Sequence, residues 1–424
     1  MSKYDFYTNI KLTEDGYLIV SGSGGGGGTE EVEITINGDI YKSVEAPNTE
    51  DIIVKDEDGN TVGSLIGGEW IVPPSGGGSI DELKYFPLTN TTVNPVYGNT
   101  GNTGTINGQP YTFVPNDGLY FDIVPNNFQS LFRQKSINDP DIGLWNVSNI
   151  TNMQQMFWGS SSFNQDISNW DVSNVTNMSN MFTNSNFNQD IGLWNTSNVT
   201  NMTAMFSGSQ FNQDINNWNV SSVIDMQNMF GGSQFNQDIG LWDVSNVTNM
   251  SNMFRNTPFN QDISNWDVSN VTSMAWMFYG NTSFNQYIGG WNVSNVTQMQ
   301  QMFRQATEFD QNIGLWDVSN VTNMSETFYD ASNFNQDISG WNTSKVVQMQ
   351  GMFQNAVNFN QDIGLWDVSS IANRNYMQNM FNGASSFNQD LSGWCVTNIT
   401  TEPTNFSNNS ALTPENKPIW GTCP

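Results

Sequence analysis

Histidine does not occur anywhere in the 424 residues. Its absence removes the usual general base near neutral pH, the Ser-His and Cys-His nucleophile systems, and imidazole metal ligands. Basic residues are scarce as well: 12 Lys and Arg stand against 40 Asp and Glu, a formal charge of −28. Nothing here can neutralise a phosphate backbone, which excludes nucleic acid as a partner. No window approaches the roughly 20 apolar residues of a membrane span, and the opening MSKYDFYTNIKLTEDGYLIV lacks a signal-peptide core. The chain is therefore expected neither to insert in a membrane nor to enter a secretion channel. Cysteine is limited to Cys395 and Cys423. A disulfide closing the C-terminal end is one option, but without an export signal two free thiols are the expectation. An enzyme made from this alphabet would have carboxylates alone, and the sequence points to no catalytic residue, no metal site and no cofactor.

What is present is a great excess of Asn, Ser and Thr, together with 37 glycines, 15 tryptophans and 20 methionines. With 37% hydrophobic and 12% charged residues the chain can build a core, and it is too aromatic for a disordered tail. Residues 1–28 read as a hairpin-like docking segment, with Glu14-Asp15-Gly16 between alternating strands, followed by the flexible joint Gly22–Gly28. Residues 29–78 carry a small β pattern ending in a second Gly-rich break. Residues 79–135 read as an irregular, aromatic-rich connecting and capping region. A repeat array is expected over 136–400 and a C-terminal cap over 401–424.

Tryptophan sets the period of the array. Trp145, Trp170, Trp194, Trp218, Trp242, Trp266, Trp291, Trp316, Trp341, Trp366 and Trp394 recur at 24 or 25 residues, with a last step of 28. About eleven stacked units, a solenoid, is the reading of so constant a spacing. The longer last step is assigned to three extra residues around Asn373-Arg374-Asn375. Within one unit, Ile167-Ser-Asn-Trp170-Asp-Val172 has the form of a leucine-rich-repeat strand. The apolar positions Val175, Met178, Met181 and Phe182 fit one face of a short helix, with Ser173 placed to cap it. The expected class is thus an α/β repeat solenoid behind a small all-β module, with the tryptophans from Trp170 to Trp366 as its core ladder.

The recurring FNQDI…WDVSNVTNMSNMF closely resembles the BspA-like repeats of bacterial surface proteins, a divergent leucine-rich-repeat family, over about residues 138–399. That resemblance implies adhesion or partner binding and brings no catalytic residues. The wording INGD…DIIVKDEDGNTVGS…GGEWIVP, between Thr29 and Pro74, is similar to a short module of bacteriophage tail and appendage proteins. Taken together the resemblances imply a non-enzymatic virion protein, a fibre, spike or decoration. Its N-terminal segment would dock on other virion proteins and its repeats would face a host-surface protein or glycan, as an oligomer such as a trimer. The alternatives are a bacterial cell-surface adhesin and a purely structural virion connector.

The methionines after Met1 read as a core stripe. The aspartates of the FNQD corners, from Asp141 to Asp390, read as acceptors of turn amides rather than calcium ligands. A repeated column of like carboxylates also lacks the two unlike environments that a glycosidase needs. More informative are positions the repeat does not require. The residue after Met-Phe is Arg255, Tyr279, Arg304 and Tyr329 in four consecutive copies and Trp158 in the first, while Trp276 lies outside the apolar stripe nearby. These types are enriched at binding hot spots, and this edge is the candidate partner-binding surface. A second candidate is the face where Leu144, Leu193, Leu241, Leu315 and Leu365 alternate with Asn or Gly beside an Asp/Asn column.

Overall fold

The computed structural model describes residues 127–134, 142–145 and 147–424, with Leu144 by its backbone alone, and upstream of these the backbone of eleven short strands. The chain divides into two compact units, residues 1–85 with 96–102 and residues 86–95 with 103–424. In the first, β1 (Asn9–Leu12) pairs antiparallel with β2 (Leu18–Ser21). Strands β3 (Glu33–Ile36), β4 (Asp39–Ser43), β5 (Ile52–Lys55), β6 (Thr61–Ile66) and β7 (Glu69–Ile71) form one antiparallel sheet in chain order. Asn37-Gly38 separates β3 from β4, the two-residue connection that hairpins favour. The second unit begins with two more hairpins inside the stretch expected to be irregular. They are β8 (Leu88–Thr89) with β9 (Thr92–Val93), and β10 (Gly104–Ile106) with β11 (Gln109–Tyr111). The expected Gly-rich joints lie outside the described residues.

The repeat itself is a string of tight turns. From Asp166 the chain reads DISNW, DVSNV and, after Thr176, NMSNM. Each quintet is built alike. The carboxylate or amide oxygen of its first residue accepts the serine N–H two residues on, at 2.9 Å for Asp166, 3.0 Å for Asp171 and 2.9 Å for Asn177. The carbonyl of its second residue accepts the N–H of its fifth: Trp170 to Ile167 at 3.1 Å, Val175 to Val172 at 2.9 Å, Met181 to Met178 at 3.2 Å. An Asx turn thus leads into a β-turn, with apolar side chains at both ends and Ser-Asn at the apex. Phe182 to Ser185 makes a fourth turn, closed at 3.2 Å. Asn180 and Asn184, with φ of 59° and 54°, are the third residues of their turns, where a type II turn needs a left-handed residue.

Neither part of the expected strand-and-helix pair is therefore present. Among the described residues there is no α-helix, only 3-10 turns at Ile142–Leu144, Arg374–Met377 and Pro414–Asn416, and the Ile-x-x-Trp-x-Val stretch is not a strand. Two turns occupy the place of the helix over 175–182, and a left-handed Asn180 is incompatible with a right-handed helix. Ser173 caps nothing; its amide donates to Asp171.

Between repeats, four backbone amides per rung all donate forward. Met178, Asn180, Phe182 and Asn184 reach the carbonyls of Asn201, Thr203, Met205 and Ser207 at 2.7–3.0 Å. The remaining amides of this stretch close the turns, so the polar backbone is accounted for. The Thr176 amide runs the other way, to Thr151 at 2.8 Å. The first rung is residues 127–134, ahead of the expected start at 136, with Phe128, Ser130, Phe132 and Gln134 donating to the rung of Asn152. The ladder runs on past residue 400, where Asn379, Phe381 and Gly383 donate to Thr404, Phe406 and Asn408. The insertion around Asn373-Arg374-Asn375 forms the second 3-10 turn, opened by the Asn373 side chain accepting from the Asn375 amide.

Side chains repeat the ladder inside. The tryptophans are nearly buried and stack at centroid spacings of 6.2–6.5 Å. From Trp170 to Trp394, each ladder indole N–H donates to an isoleucine carbonyl of the preceding repeat at 2.8–3.2 Å. Two phenylalanine columns pair face to face, as Phe157 with Phe163 at 3.8 Å and Phe182 with Phe187 at 4.1 Å. Every methionine after Met1 is buried, as the stripe implied, though none lies in an α-helix. Thr327, which replaces one of them, bonds the Met324 carbonyl at 2.8 Å. Outside, the FNQ asparagines form their own ladder, Asn212 N–H to Asn188 Oδ1 at 2.8 Å, reinforced by Gln213 Nε2 on the Asn188 carbonyl at 3.0 Å. At the C-terminus Cys395 and Cys423 are joined by a disulfide, not free as expected. The end segment is also tied back by Val396 N–H to Thr422 at 2.8 Å and Thr413 N–H to Asn388 Oδ1 at 2.9 Å.

Candidate functional site

Each fourth turn starts on a buried phenylalanine, and its next residue is buried at Thr183 and Gly231 but at least partly exposed from Arg255 to Tyr329. Because every rung is bonded to the next with a fixed offset, those residues line up along one edge. The structure brings together Arg255, Tyr279, Arg304 and Tyr329 as an alternating column of cations and rings. The Arg255 guanidinium carbon is 5.1 Å from the Tyr279 centroid, and that of Arg304 is 5.6 Å from Tyr279 and 4.0 Å from Tyr329. Tyr279 is thus shared by two guanidinium groups, and Arg304 lies between two tyrosines. Contacts of this kind at partly exposed sites contribute about 0.5–1 kcal/mol each.

Trp276 belongs to the neighbouring column, the third position of the Met-x-x-Met turn. Its carbonyl accepts the Tyr279 amide at 3.1 Å, so the two aromatics flank one turn. Its φ is 58°, in the left-handed region that the same column elsewhere fills mostly with Asn, Gln or Gly. Glu326, two repeats further along this column and one beyond Arg304, forms an ion pair with Arg304. Trp158 lies in the arginine-tyrosine column but apart from the cluster, with Thr183, Ser207 and Gly231 between. It carries its own cation, Arg133, 4.3 Å from the ring centroid.

Two members of this edge were not legible beforehand. Arg133 precedes Trp145, the first tryptophan of the array, and only the Leu131-Phe132-Arg133 wording, parallel to Met-Phe-Arg at Arg255, marks it. Glu326 stands in a different column from its partner and carries no sequence signal. On the second candidate face, Leu193, Leu241, Leu315 and Leu365 are 91%, 78%, 90% and 91% exposed, while the Leu144 side chain lies outside the described residues.

The aspartates serve the turns. Those of the FNQD corners from Asp166 to Asp390 accept the amide two residues on at 2.8–2.9 Å, while Asp141 lies outside the described residues. Where that residue is serine, its hydroxyl and amide hold the carboxyls of Asp166, Asp337 and Asp390 below the usual carboxylate range, and its amide and hydroxyl do so at Asp262. Such a carboxylate stays ionised at neutral pH, the opposite of what a general acid requires. Among the described residues no group of three or more His, Cys, Asp or Glu is placed to hold a metal ion, and no helix is long and apolar enough to cross a membrane.

No curated protein and no solved structure was found to match the chain. A family model does match, in three overlapping segments, residues 126–239, 231–321 and 308–419, which take in every rung of the ladder. The chain belongs to the family described as Mycoplasma protein of unknown function, DUF285.

Proposed function

We propose that this chain is a non-enzymatic attachment protein of a bacteriophage particle, with its repeats displayed as a leucine-rich-repeat-like solenoid. The observation that carries the reading is the arginine-tyrosine column. Arginine and aromatic residues, the types that dominate binding hot spots, stand in register on successive repeats whose fold does not need them there, Arg255 exposed and Tyr279, Arg304 and Tyr329 half-buried. Equivalent turns elsewhere place Thr183, Ser207 or Gly231 at the same position. The absence of histidine and the confinement of the corner aspartates to turns support a binding role over catalysis. The phage-like wording of residues 29–74 supports a virion, with the N-terminal segment docking on other virion proteins, a homo-oligomer such as a trimer, and a location on the particle surface.

Electron microscopy of particles labelled with antibody against residues 136–424 tests the placement, and unlabelled particles would sink it. Arg255→Ala with Tyr279→Ala tests the edge: host adsorption should fall at least tenfold while particles still assemble. Assembly failure would instead make this edge a packing surface. The second reading, a bacterial cell-surface adhesin, is favoured by the family's description as a Mycoplasma protein. It predicts antibody labelling of whole bacterial cells in place of particles.

A further inference from the structure

The arginines of this edge are not equivalent. Arg304 finds a carboxylate in Glu326, one repeat on and in the adjacent column. Arg133, over Trp158, donates to Gln155 Oε1 at 3.3 Å, and Gln155 stands in the same relation to it. For Arg255 the corresponding residue is Trp276, whose indole accepts nothing. Arg255 is exposed, and among the described residues its side chain has the Tyr279 ring as a neighbour but no hydrogen-bonded or ionic partner. The substitution that removes the acceptor also places a bulky side chain at φ 58°, a conformation disfavoured for any residue but glycine.

An unpaired guanidinium presents a planar fork that matches a carboxylate, and beside it lie two half-buried aromatic rings. We propose that Arg255, Trp276 and Tyr279 form a subsite for a carboxylate-bearing saccharide, the sugar ring resting on the aromatics and its carboxylate on Arg255. A saccharide fits better than a peptide because these rungs offer no free strand edge: the amides of Arg255, Asn256, Trp276 and Tyr279 are all bonded within the ladder. Asn and Gln side chains flank the rings, at Asn252, Asn256, Gln301 and Gln305, and amides suit hydroxyl groups. The overall negative charge is no obstacle, since charges beyond about 8 Å are largely screened at physiological ionic strength. The subsite rests on reading this edge as an attachment surface.

The test is an array of sialylated, hexuronate-containing and neutral glycans probed with the full chain. Binding is expected only to carboxylated members, to weaken with added salt, and to fall at least tenfold in Arg255→Gln and in Trp276→Asn. Both replacements use residue types already found in those columns, Gln354 and Asn252, and unchanged melting temperatures would show that the variants fold. Equal binding of neutral glycans, indifference to Arg255→Gln, no binding of any carboxylated glycan, or binding only to an acidic peptide would overturn the subsite. Adsorption to cells that Arg255→Gln leaves unchanged overturns it and leaves attachment standing. Arg255-dependent glycan binding by a chain that adsorbs to no cell supports the subsite and overturns attachment.

Discussion

Asparagine and serine do in this chain what glycine and proline do in most turns. Asparagine tolerates the left-handed conformation and accepts a local amide, so a repeat with many turns is written with few glycines in them. Where glycine does occupy a left-handed position, as at Gly232 with φ 72° and nothing within 3.8 Å of an added Cβ, only backbone strain opposes a side chain. Gly232→Ala should therefore cost about 1–2 kcal/mol in urea unfolding. The tryptophans were legible as core from their spacing alone, since Trp242 is 3% exposed. Their bond to the neighbouring repeat was not, because a sequence shows which residue is apolar and not where its indole N–H points. Trp242→Ala should cost about 3–5 kcal/mol. Trp242→Phe keeps a ring but strands the Ile215 carbonyl bonded at 3.1 Å, and about 1–3 kcal/mol is expected for that in the same measurement.

At the scale of the element, the lesson lies in a shared spacing. Val175, Met178 and Met181 are three apart in a helix and equally so when apolar residues sit at the ends of successive turns. Periodicity could not choose between the two. The choice was present in the polar residues, since DISNW, DVSNV and NMSNM place an acceptor two residues before each serine, which a helix does not use. The natural replacement of Asp by Asn312, which bonds Gly314 at 3.0 Å, shows what the corner requires. Asp262→Asn should be nearly neutral, and Asp262→Ala should lose about 1 kcal/mol. The carboxyls of Asp166, Asp262 and Asp337 sit lower in the folded chain than the unfolded value of about 3.9. Their stabilisation is fully present above that value and is lost as pH falls through the lower folded one. The urea midpoint should hold steady above about pH 5 and drop in stronger acid, with a smaller drop in a triple Asp→Asn variant.

For the whole molecule, the period of the stack was readable from the recurring tryptophan. The ends of the stack were not, because the first rung precedes Trp145, the first tryptophan of the array, and the last is written differently, as Pro403-Thr404-Asn405-Phe406. Reduction of the Cys395–Cys423 bridge, which spans 28 residues, should release roughly 3–4 kcal/mol of constraint and fray the last rung first. Hydrogen exchange checks this. Ladder amides such as Asn228 and Phe230, bonded at 2.8 and 3.1 Å, should be the most protected, whereas Asn405, Ser407 and Asn409, which have no rung beyond them, should exchange fast in either state. In the rungs four amides donate forward, while the amides of Thr176, Asn188 and their counterparts donate back and the Ile167 and Ser173 carbonyls point on to the next repeat. The opposed peptide dipoles offset one another along the stack, as they do in an ordinary sheet. What the fixed senses of bonding give the stack is an orientation, because a copy turned end for end would set donor against donor. A further repeat can therefore join the last rung, at the Asn405, Ser407 and Asn409 amides, in one sense only.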